Sequence, residues 1–198
     1  MAGGFITMAK HKTTCINDLA FECEKIFHAS PSGIDNTTVI TGGLCLFNGG
    51  KLDEMIDGID MKFLIVNSGK VKNTKAILAT LNQLYENAPY KKEAILSEIG
   101  NIGIKMKNYL HDFAQFQAMI SKNHQLLHEY GVSSIEIEQI IQHGKKFGLS
   151  GKLSGAGCGG CVIFPFKERI HIEQYKTELE YESFECCIDN AGIIIYEN

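Results

Sequence analysis

The clearest pattern along the chain is the helical spacing of apolar residues in its central part. After residue 73 they recur every three or four positions, as expected where one face of a helix is buried. This spacing predicts helices at about residues 77–84, 95–106, 113–130 and 134–147. Gly131 and Gly148 are suited to end the last two helices, and Ser133-Ser134 followed by Glu136 is suited to begin the fourth.

The N-terminal part of the chain is less regular. Apolar spacing from Ile16 to Phe27 predicts a helix that begins behind Thr13 or Thr14. Residues 1–14 show no clear period, so we expect them to be a frayed lead-in. A polar loop from His28 to Asn36 then interrupts the helical pattern.

Apolar stretches rich in β-branched residues predict the strands. They occupy residues 37–47 with a bend at Gly42-Gly43, and residues 61–67, 161–166, 184–189 and 192–197. A helix is predicted at about residues 168–180, and Asn48-Gly49-Gly50-Lys51 is typical of a hairpin turn. Because strands and helices do not alternate strictly, the order favours a split α+β layer over a doubly wound parallel sheet.

Composition and charge exclude several classes of protein. The 198 residues are 44% hydrophobic and carry 19 Lys and Arg against 23 Asp and Glu, a formal net charge of −4. Such a chain can bury a substantial core, and its charge does not attract nucleic acid. Its apolar runs are too short to span a bilayer. We therefore expect no nucleic-acid partner and no membrane span.

The cations and the cysteines narrow the chemistry further. Arg169 is the only arginine, so phosphate recognition has to rely on lysines, backbone amides and helix termini. The seven cysteines are irregularly spaced, and no secretory leader precedes them. We interpret them as reduced thiols in a cytoplasmic protein.

The most informative stretch runs from Ser150 to Cys161 and contains five glycines in ten residues. Such a loop can leave backbone amides uncovered and bind an anion. Gly155, Gly157 and Gly160 form a GxGxxG pattern, but a dinucleotide site needs a strand before this pattern and a helix after it, and the predicted order is the reverse. The alternative is a tight turn from a helix to a strand.

A second stretch combines two carboxylates with a turn. Pro31, Ser32 and Gly33 are suited to hold Asp35 away from the scaffold, where it can accept a proton from a hydroxyl group. Glu24 lies on the helix that leads into this loop and can bind Mg²⁺, which takes only one or two protein oxygens. The alternative is that Asp35 caps a turn and Glu24 faces solvent.

Two further patterns are typical of metal sites but are incomplete. Cys158 and Cys161 form a single CxxC without a partner pair, which disfavours zinc. His124 and His128 stand four residues apart on one helix but lack the glutamate of HExxH. We interpret these histidines as solvated residues on the helix surface.

Taken together, these stretches resemble the GHMP kinases (galactokinase, homoserine kinase, mevalonate kinase and phosphomevalonate kinase), most closely the mevalonate kinase branch. The residues that carry the resemblance are Phe21-Glu-Cys-Glu-Lys-Ile-Phe-His28, then Pro31-Ser-Gly-Ile-Asp-Asn36 with Gly42-Gly43, and Lys152-Leu-Ser-Gly-Ala-Gly-Cys-Gly-Gly-Cys161. The three matches occur in the order found in the family.

The resemblance implies ATP-dependent phosphorylation of the primary hydroxyl of mevalonate, with Mg²⁺ as cofactor and mevalonate and ATP as ligands. Asp35 would be the catalytic aspartate and Glu24 the Mg²⁺ ligand, with Ser32, Gly33 and Thr74 on the substrate side. The loop beside the ATP phosphates would consist of Ser154, Gly155, Ala156, Gly157, Cys158, Gly159 and Gly160.

The resemblance also implies a fold and a domain organisation. It predicts an α+β protein in which residues 61–198 form the GHMP kinase C-terminal ferredoxin-like domain, an antiparallel sheet with helices. Residues 1–60 would be a remnant of the N-terminal ribosomal-protein-S5-like domain. Surface left uncovered by the rest of that domain should be apolar, so we expect a homodimer or self-association.

Two departures from the family pattern stand out. The lysine-bearing first motif and the Pro-x-x-x-Gly-Leu-Gly-Ser-Ser-Ala-type loop are not found in this sequence, so we expect a truncated kinase. Cys158 replaces a glycine, which would distort the loop at positive φ but is tolerated at negative φ. The alternatives are a catalytically silent GHMP-like binding module, a phosphomevalonate kinase or a galactokinase.

Overall fold

A computed structural model describes residues 2–27, 31–71 and 74–194, and gives side chains there except at residues 2–12, 27 and 74–75. Helices and antiparallel sheets lie in separate stretches of the chain, which confirms the predicted α+β class. The chain divides into two compact units. One comprises residues 1–60 and 188–198, and the other comprises residues 61–187.

The first unit contains two helices and a β-hairpin. Its elements are α1 (Ala2–Phe27), α2 (Ile34–Thr41), β1 (Leu44–Asn48) and β2 (Lys51–Ile56). β1 and β2 pair antiparallel, and Asn48 lies opposite Lys51, which confirms the hairpin turn. The expectation of a frayed lead-in is wrong, because α1 already begins at Ala2.

The strand predicted from residue 37 is also wrong, because residues 37–41 belong to α2. Threonines in this helix donate hydrogen bonds back to its own carbonyls. Thr38 Oγ1 donates to the oxygen of Ile34 at 2.7 Å, and Thr41 Oγ1 donates to that of Thr37 at 2.9 Å. Bonds of this kind are how a threonine hydroxyl finds an acceptor when it lies within a helix.

The second unit is a four-stranded sheet with helices. Its elements are β3 (Lys62–Asn67), α3 (Thr74–Leu84), α4 (Pro89–Met106), a 3₁₀ turn (Lys107–Tyr109), α5 (Phe113–Tyr130), α6 (Ile135–Lys146), β4 (Lys152–Ser154), β5 (Cys161–Phe166), α7 (Arg169–Thr177) and β6 (Ser183–Cys187). The strand order is β4-β5-β3-β6, and all neighbours are antiparallel. The helices and strands predicted between residues 61 and 187 are present, whereas residues 192–194 of the last predicted strand are not in a strand.

The core of this unit lies between one face of the sheet and the helices. Leu64 and Val66 alternate inward on β3 and are fully buried, as are Val162 and Phe164 on β5. They belong to one apolar cluster with the inward residues of α6 and α7, which are Ile137, Ile140, Ile141, Ile172 and Tyr175. The hydroxyl of Tyr175 is satisfied because it donates to the carbonyl of Ile140 at 3.1 Å.

The predicted ends of two consecutive helices are confirmed by their capping residues. Ser134 caps α6 by accepting from the amide of Ile137, and Asp112 caps α5 by accepting from that of Gln115. Gly131 ends α5 in the left-handed conformation, at φ 94°. The turn 131–134 between these two helices is therefore defined on both sides.

In the described residues, no helix combines the length and hydropathy that a membrane crossing requires. All seven cysteines are free thiols.

The packing of α6 on the sheet predicts opposite effects of alanine at two helical glycines. A Cβ at Gly144 would lie 2.6 Å from the ring of Phe164, whereas a Cβ at Gly100 would meet nothing within 4 Å. Gly144→Ala is expected to lower the free energy of unfolding by about 1–3 kcal/mol, because the buried ring must shift. Gly100→Ala should raise it by up to about 1 kcal/mol, because alanine favours the helix. Urea denaturation measures both, and equal effects would contradict this packing.

Candidate functional site

The Gly-rich loop connects two antiparallel strands. Ser154 ends β4 and lies opposite Cys161, the first residue of β5, so residues 155–160 form the tip of a hairpin. The predicted order, in which a helix leads directly into the loop, is wrong, and so is the alternative of a tight turn from a helix to a strand, because β4 intervenes after α6. A strand follows the loop, as expected, which excludes the strand-loop-helix order of a dinucleotide site.

The loop backbone is largely in the left-handed region. Gly155, Gly157, Gly159 and Gly160 have φ values of 79°, 83°, 148° and 78°. Cys158 has a φ of 52°, and it is the only residue other than glycine with positive φ in the described part of the chain. Of the two possibilities for Cys158, the structure therefore shows the strained one, in which a Cβ occupies a conformation that favours glycine.

Two neighbouring segments hold this loop through backbone hydrogen bonds. The amide of Cys158 donates to the carbonyl oxygen of Val132 at 2.6 Å, and that of Gly160 donates to Lys70 at 3.2 Å. The amide of Ser68 in turn donates to the oxygen of Gly160 at 2.9 Å. The loop is thus fixed between the turn that precedes α6 and the end of β3.

Four other loop amides, at residues 155, 156, 157 and 159, donate to no group in the ranges that the structure covers. Successive backbone amides in a turn conformation can form a concave surface that binds anions. A phosphate group can satisfy such amides without a charged side chain. The anion-binding role of the loop stays a prediction that this geometry allows.

Two loop glycines are required by close approach. A Cβ at Gly157 would lie 2.2 Å from the oxygen of Val132, and a Cβ at Gly159 would lie 2.6 Å from that of Lys70. Both obstacles are backbone atoms, so they cannot move aside as a flexible side chain would. A side chain at either position would push the loop away from its supports.

Charged residues flank the loop on both sides. Lys70 Nζ lies 3.1 Å from Glu136 on the first turn of α6. Hydrogen bonds to the Glu136 carboxylate, first from its own backbone amide and then from Ser134 and Lys70, lower its pKa to about 2. Lys152 opens β4, and burial lowers the pKa of its ammonium group.

A second polar cluster lies at the base of the loop, and the interpretation of its histidines as solvated is wrong for one of them. His124 on α5 is buried, with 5% of its surface exposed, whereas His128 is largely exposed. Oε1 of Glu138 on α6 lies 2.9 Å from His124 Nε2 and 3.1 Å from His128 Nδ1. Ser133 Oγ donates to the same oxygen. The spacing of the histidines indicates a shared helix face, but only the fold brings Glu138 to it.

The protonation state of His124 follows from its partners. Its Nδ1 accepts from the amide of Leu153 at 3.4 Å, so its proton is on Nε2 and is donated to Glu138. Burial is the main influence and lowers the pKa of His124, while contact with Glu138 partly opposes this effect. His124 is thus held neutral at the strand that leads into the Gly-rich loop.

The other predicted site residues lie in the first unit. Gly33 has a φ of 74° and precedes α2, and Asp35 is exposed on the first turn of this helix. Ser32 Oγ accepts from the amide of Ile34 at 3.3 Å. Glu24 is half-buried on α1. Their catalytic, metal and substrate roles stay predictions.

α1 and α2 are joined by a polar contact that sets the position of this turn. Asn36 Nδ2 donates to Oδ1 of Asn17 at 2.7 Å, and Asn17 Nδ2 donates to Thr37 Oγ1 at 3.3 Å.

Thr74, the remaining predicted substrate-side residue, is the first residue of α3. Its side chain is not among those that the structure describes, so its role stays a prediction.

Within the described side chains, no group of three or more His, Cys, Asp or Glu residues is arranged to hold a metal ion. The predicted Mg²⁺ site does not require such a group, because Mg²⁺ is bound through one or two carboxylates together with substrate phosphates. A carboxylate such as that of Glu24 fits this role only when the phosphates are present.

Part of the second unit matches a known protein family. Residues 101–185 match the family described as "GHMP kinases C terminal". The mevalonate kinase of Dictyostelium discoideum is 33% identical over 201 residues, which cover 91% of this chain and 51% of that protein. The mevalonate kinase of Arabidopsis thaliana is 28% identical over 192 residues, which cover 92% and 51%. The chain spans about half the length of the curated relatives it matches.

Solved structures show the same fold. The mevalonate kinase of L. major, solved in complex with R-mevalonate, superposes with a TM-score of 0.77 at 23% identity, over 87% of this chain and 56% of that one. The mevalonate kinase of Methanococcus jannaschii superposes with a TM-score of 0.72 at 25% identity, over 90% of this chain and 57% of that one. The predicted resemblance to the GHMP kinases, and among them to mevalonate kinases, is confirmed.

The left-handed backbone at residue 158 predicts an unusual order of stability. Cys158→Gly should be more stable than Cys158→Ala by about 1 kcal/mol, because only glycine adopts a φ of 52° without a steric penalty. Ala156 is the matched control, where Ala156→Gly should lower the free energy of unfolding by about 0.5–1 kcal/mol. Thermal or urea denaturation measures these differences. If Cys158→Ala is the more stable of the pair, the loop conformation is wrong.

The buried His124 predicts loss of stability in mild acid. The pKa of His124 lies below the ordinary value of 6.5, so the unfolded chain takes up the proton at a higher pH than the folded chain does. The free energy of unfolding therefore falls as the pH drops below about 6.5. Glu138, His128 and Lys145 are the charged groups that act on it. His124→Gln keeps a donor for Glu138 but does not titrate. Urea denaturation between pH 7.5 and 5 should give a shallower slope for the variant, and equal slopes would refute this assignment.

Proposed function

We propose that this chain, which carries the C-terminal domain of the GHMP kinases, is the C-terminal part of an ATP-dependent kinase that converts mevalonate to 5-phosphomevalonate. The chain spans about half the length of its curated relatives, so the activity is proposed for the kinase of which this domain is part. In this reaction the terminal phosphoryl group of ATP moves to the primary hydroxyl of mevalonate, and ADP leaves. In the family, 5-phosphomevalonate is used for the synthesis of isoprenoid and sterol precursors.

The observation that carries the proposal is the Gly-rich hairpin loop with four amides that donate to no described group. Phosphoryl transfer requires positioning and charge stabilisation more than covalent participation by the protein. Hydrogen bonds from the amides of Cys158 and Gly160 to the carbonyls of Val132 and Lys70 hold the loop in place, so its four other amides provide fixed dipoles that need no reorganisation when a phosphate binds. Similarity to proteins named mevalonate kinase supports mevalonate, over other acceptors, as the proposed substrate of this chain.

Asp35 is proposed to act on the acceptor hydroxyl. Its carboxylate is exposed on the first turn of α2, behind the left-handed Gly33. There it can accept the hydroxyl proton while the oxygen attacks the phosphorus atom. Ser32, Gly33 and Thr74 are proposed to lie on the substrate side.

Mg²⁺ is proposed to enter with ATP as the MgATP complex, and Glu24 is the proposed protein ligand. A single carboxylate suits this ion, which retains water and phosphate oxygens as its other ligands. Bound there, Mg²⁺ would neutralise phosphate charge.

Self-association and a cytoplasmic location complete the proposal. In the first unit, Leu19, Ile26 and Val39 are 66%, 79% and 73% exposed, which supports contact with a second copy of the chain. Seven free thiols suit a reducing compartment.

The test is ADP release from MgATP with mevalonate added or withheld. Mevalonate-dependent release is expected from the chain, and Asp35→Asn should reduce it at least about 100-fold, in the range of general-base catalysis. Asp53→Asn is the matched control, because Asp53 is an exposed carboxylate on β2 of the same unit. It should keep the activity of the unsubstituted chain.

Retained activity in Asp35→Asn would remove Asp35 from the reaction. Calorimetric binding of MgATP without turnover would favour a silent GHMP-like module over a kinase. Release that depends on galactose or phosphomevalonate instead would assign a different acceptor.

A further inference from the structure

We infer that Glu138 on α6 is a positioning residue that holds the Gly-rich loop in its anion-binding conformation, through His124 on one side and Ser133 on the other. The inference deepens the proposed function, since it rests on the loop as the phosphate site. Glu138 itself lies outside residues 154–160, so it acts through its partners.

The first connection runs through His124 to the start of the loop. Oε1 of Glu138 accepts the Nε2 proton of His124 at 2.9 Å, and the opposite ring nitrogen accepts the amide of Leu153 at 3.4 Å. The ring can accept from Leu153 only as the neutral Nε2-H tautomer, which the carboxylate selects. Leu153 is the central residue of β4, and the loop begins two residues later.

The second connection runs through the turn 131–134. Ser133 Oγ donates to the same Glu138 oxygen, and the adjacent Val132 carbonyl accepts the amide of Cys158 at 2.6 Å. The thiol of Cys158 lies 3.9 Å from the carbonyl oxygens of Gly131 and Ser133. A shift of this turn therefore moves the middle of the loop.

One carboxylate oxygen thus fixes both supports. It receives three donors, from His124, Ser133 and His128, and the Glu138 side chain is 28% exposed. Removing the carboxylate leaves the buried Nε2 proton of His124 unpaired and releases the serine, so both supports loosen together. Glu129 on α5 is exposed, and its carboxylate bonds only to Gln125 among the described residues, which makes it a matched control.

Cys158 provides a reporter that does not depend on activity. We would compare its alkylation rate by iodoacetamide, read at the Cys158 peptide by mass spectrometry, in the unsubstituted chain and in Glu138→Ala, Glu138→Gln, Ser133→Ala and Glu129→Ala. Loss of a hydrogen bond to a charged group should expose the thiol about tenfold more often. We expect this acceleration in Glu138→Ala, a smaller one in Ser133→Ala, partial restoration in Glu138→Gln and none in Glu129→Ala.

Unchanged rates in Glu138→Ala and Ser133→Ala would overturn the inference, as would equal acceleration in Glu129→Ala. Circular dichroism checks folding, and if Glu138→Ala does not fold, Ser133→Ala decides, because it removes only one hydroxyl. Calorimetry with MgATP on the unsubstituted chain separates the two proposals. If MgATP does not bind, the phosphate role of the loop is refuted. The alkylation rates then still test whether Glu138 holds the loop in place.

Discussion

The close approach of the Gly-rich loop to two backbone carbonyls is the constraint on which the candidate site depends. The loop lies so near the oxygens of Val132 and Lys70 that a Cβ at Gly157 or Gly159 would collide with them. This contact orients the amides of Cys158 and Gly160 toward the protein and leaves four others without an acceptor among the described residues. The same contact explains how Cys158 is held at positive φ, because its amide is bonded and its thiol is packed against the turn that precedes α6.

The rest of the second unit keeps these carbonyls in place. Val132 lies in a turn defined by the left-handed Gly131 and by the Ser134 cap of α6, and Lys70 follows the central strand β3. α6 can lie against the sheet because Gly144 leaves room for the ring of Phe164. A rigid scaffold of this kind suits phosphoryl transfer, where the protein contributes oriented dipoles rather than a covalent intermediate.

Several features were beyond sequence reasoning for identifiable reasons. β4 has three residues, too few to show an alternating pattern, so the sequence predicts that the loop directly follows a helix. Residues 37–41 have the composition of a strand, but they lie in α2, where threonine hydroxyls bond to carbonyls of the preceding turn. His124 stands four residues before His128, a spacing that predicts two histidines on one solvated helix face. Its burial depends on Leu153 and Glu138, which come from other elements.

Local patterns in the sequence are sufficient to predict the long helices of the second unit, the strands β3 and β5, the hairpin turn and the loop as a candidate anion site. These predictions depend on local spacing, on capping residues and on the backbone freedom of glycine, which can be read within a few positions. The resemblance to kinases also depends on short motifs, each of them continuous in the chain. The tertiary structure was needed to show which loop amides bond to described carbonyls, that Cys158 is left-handed, and that Glu138 joins His124 to Ser133. Those properties arise from contacts between residues far apart in the chain, whose distances no local pattern specifies.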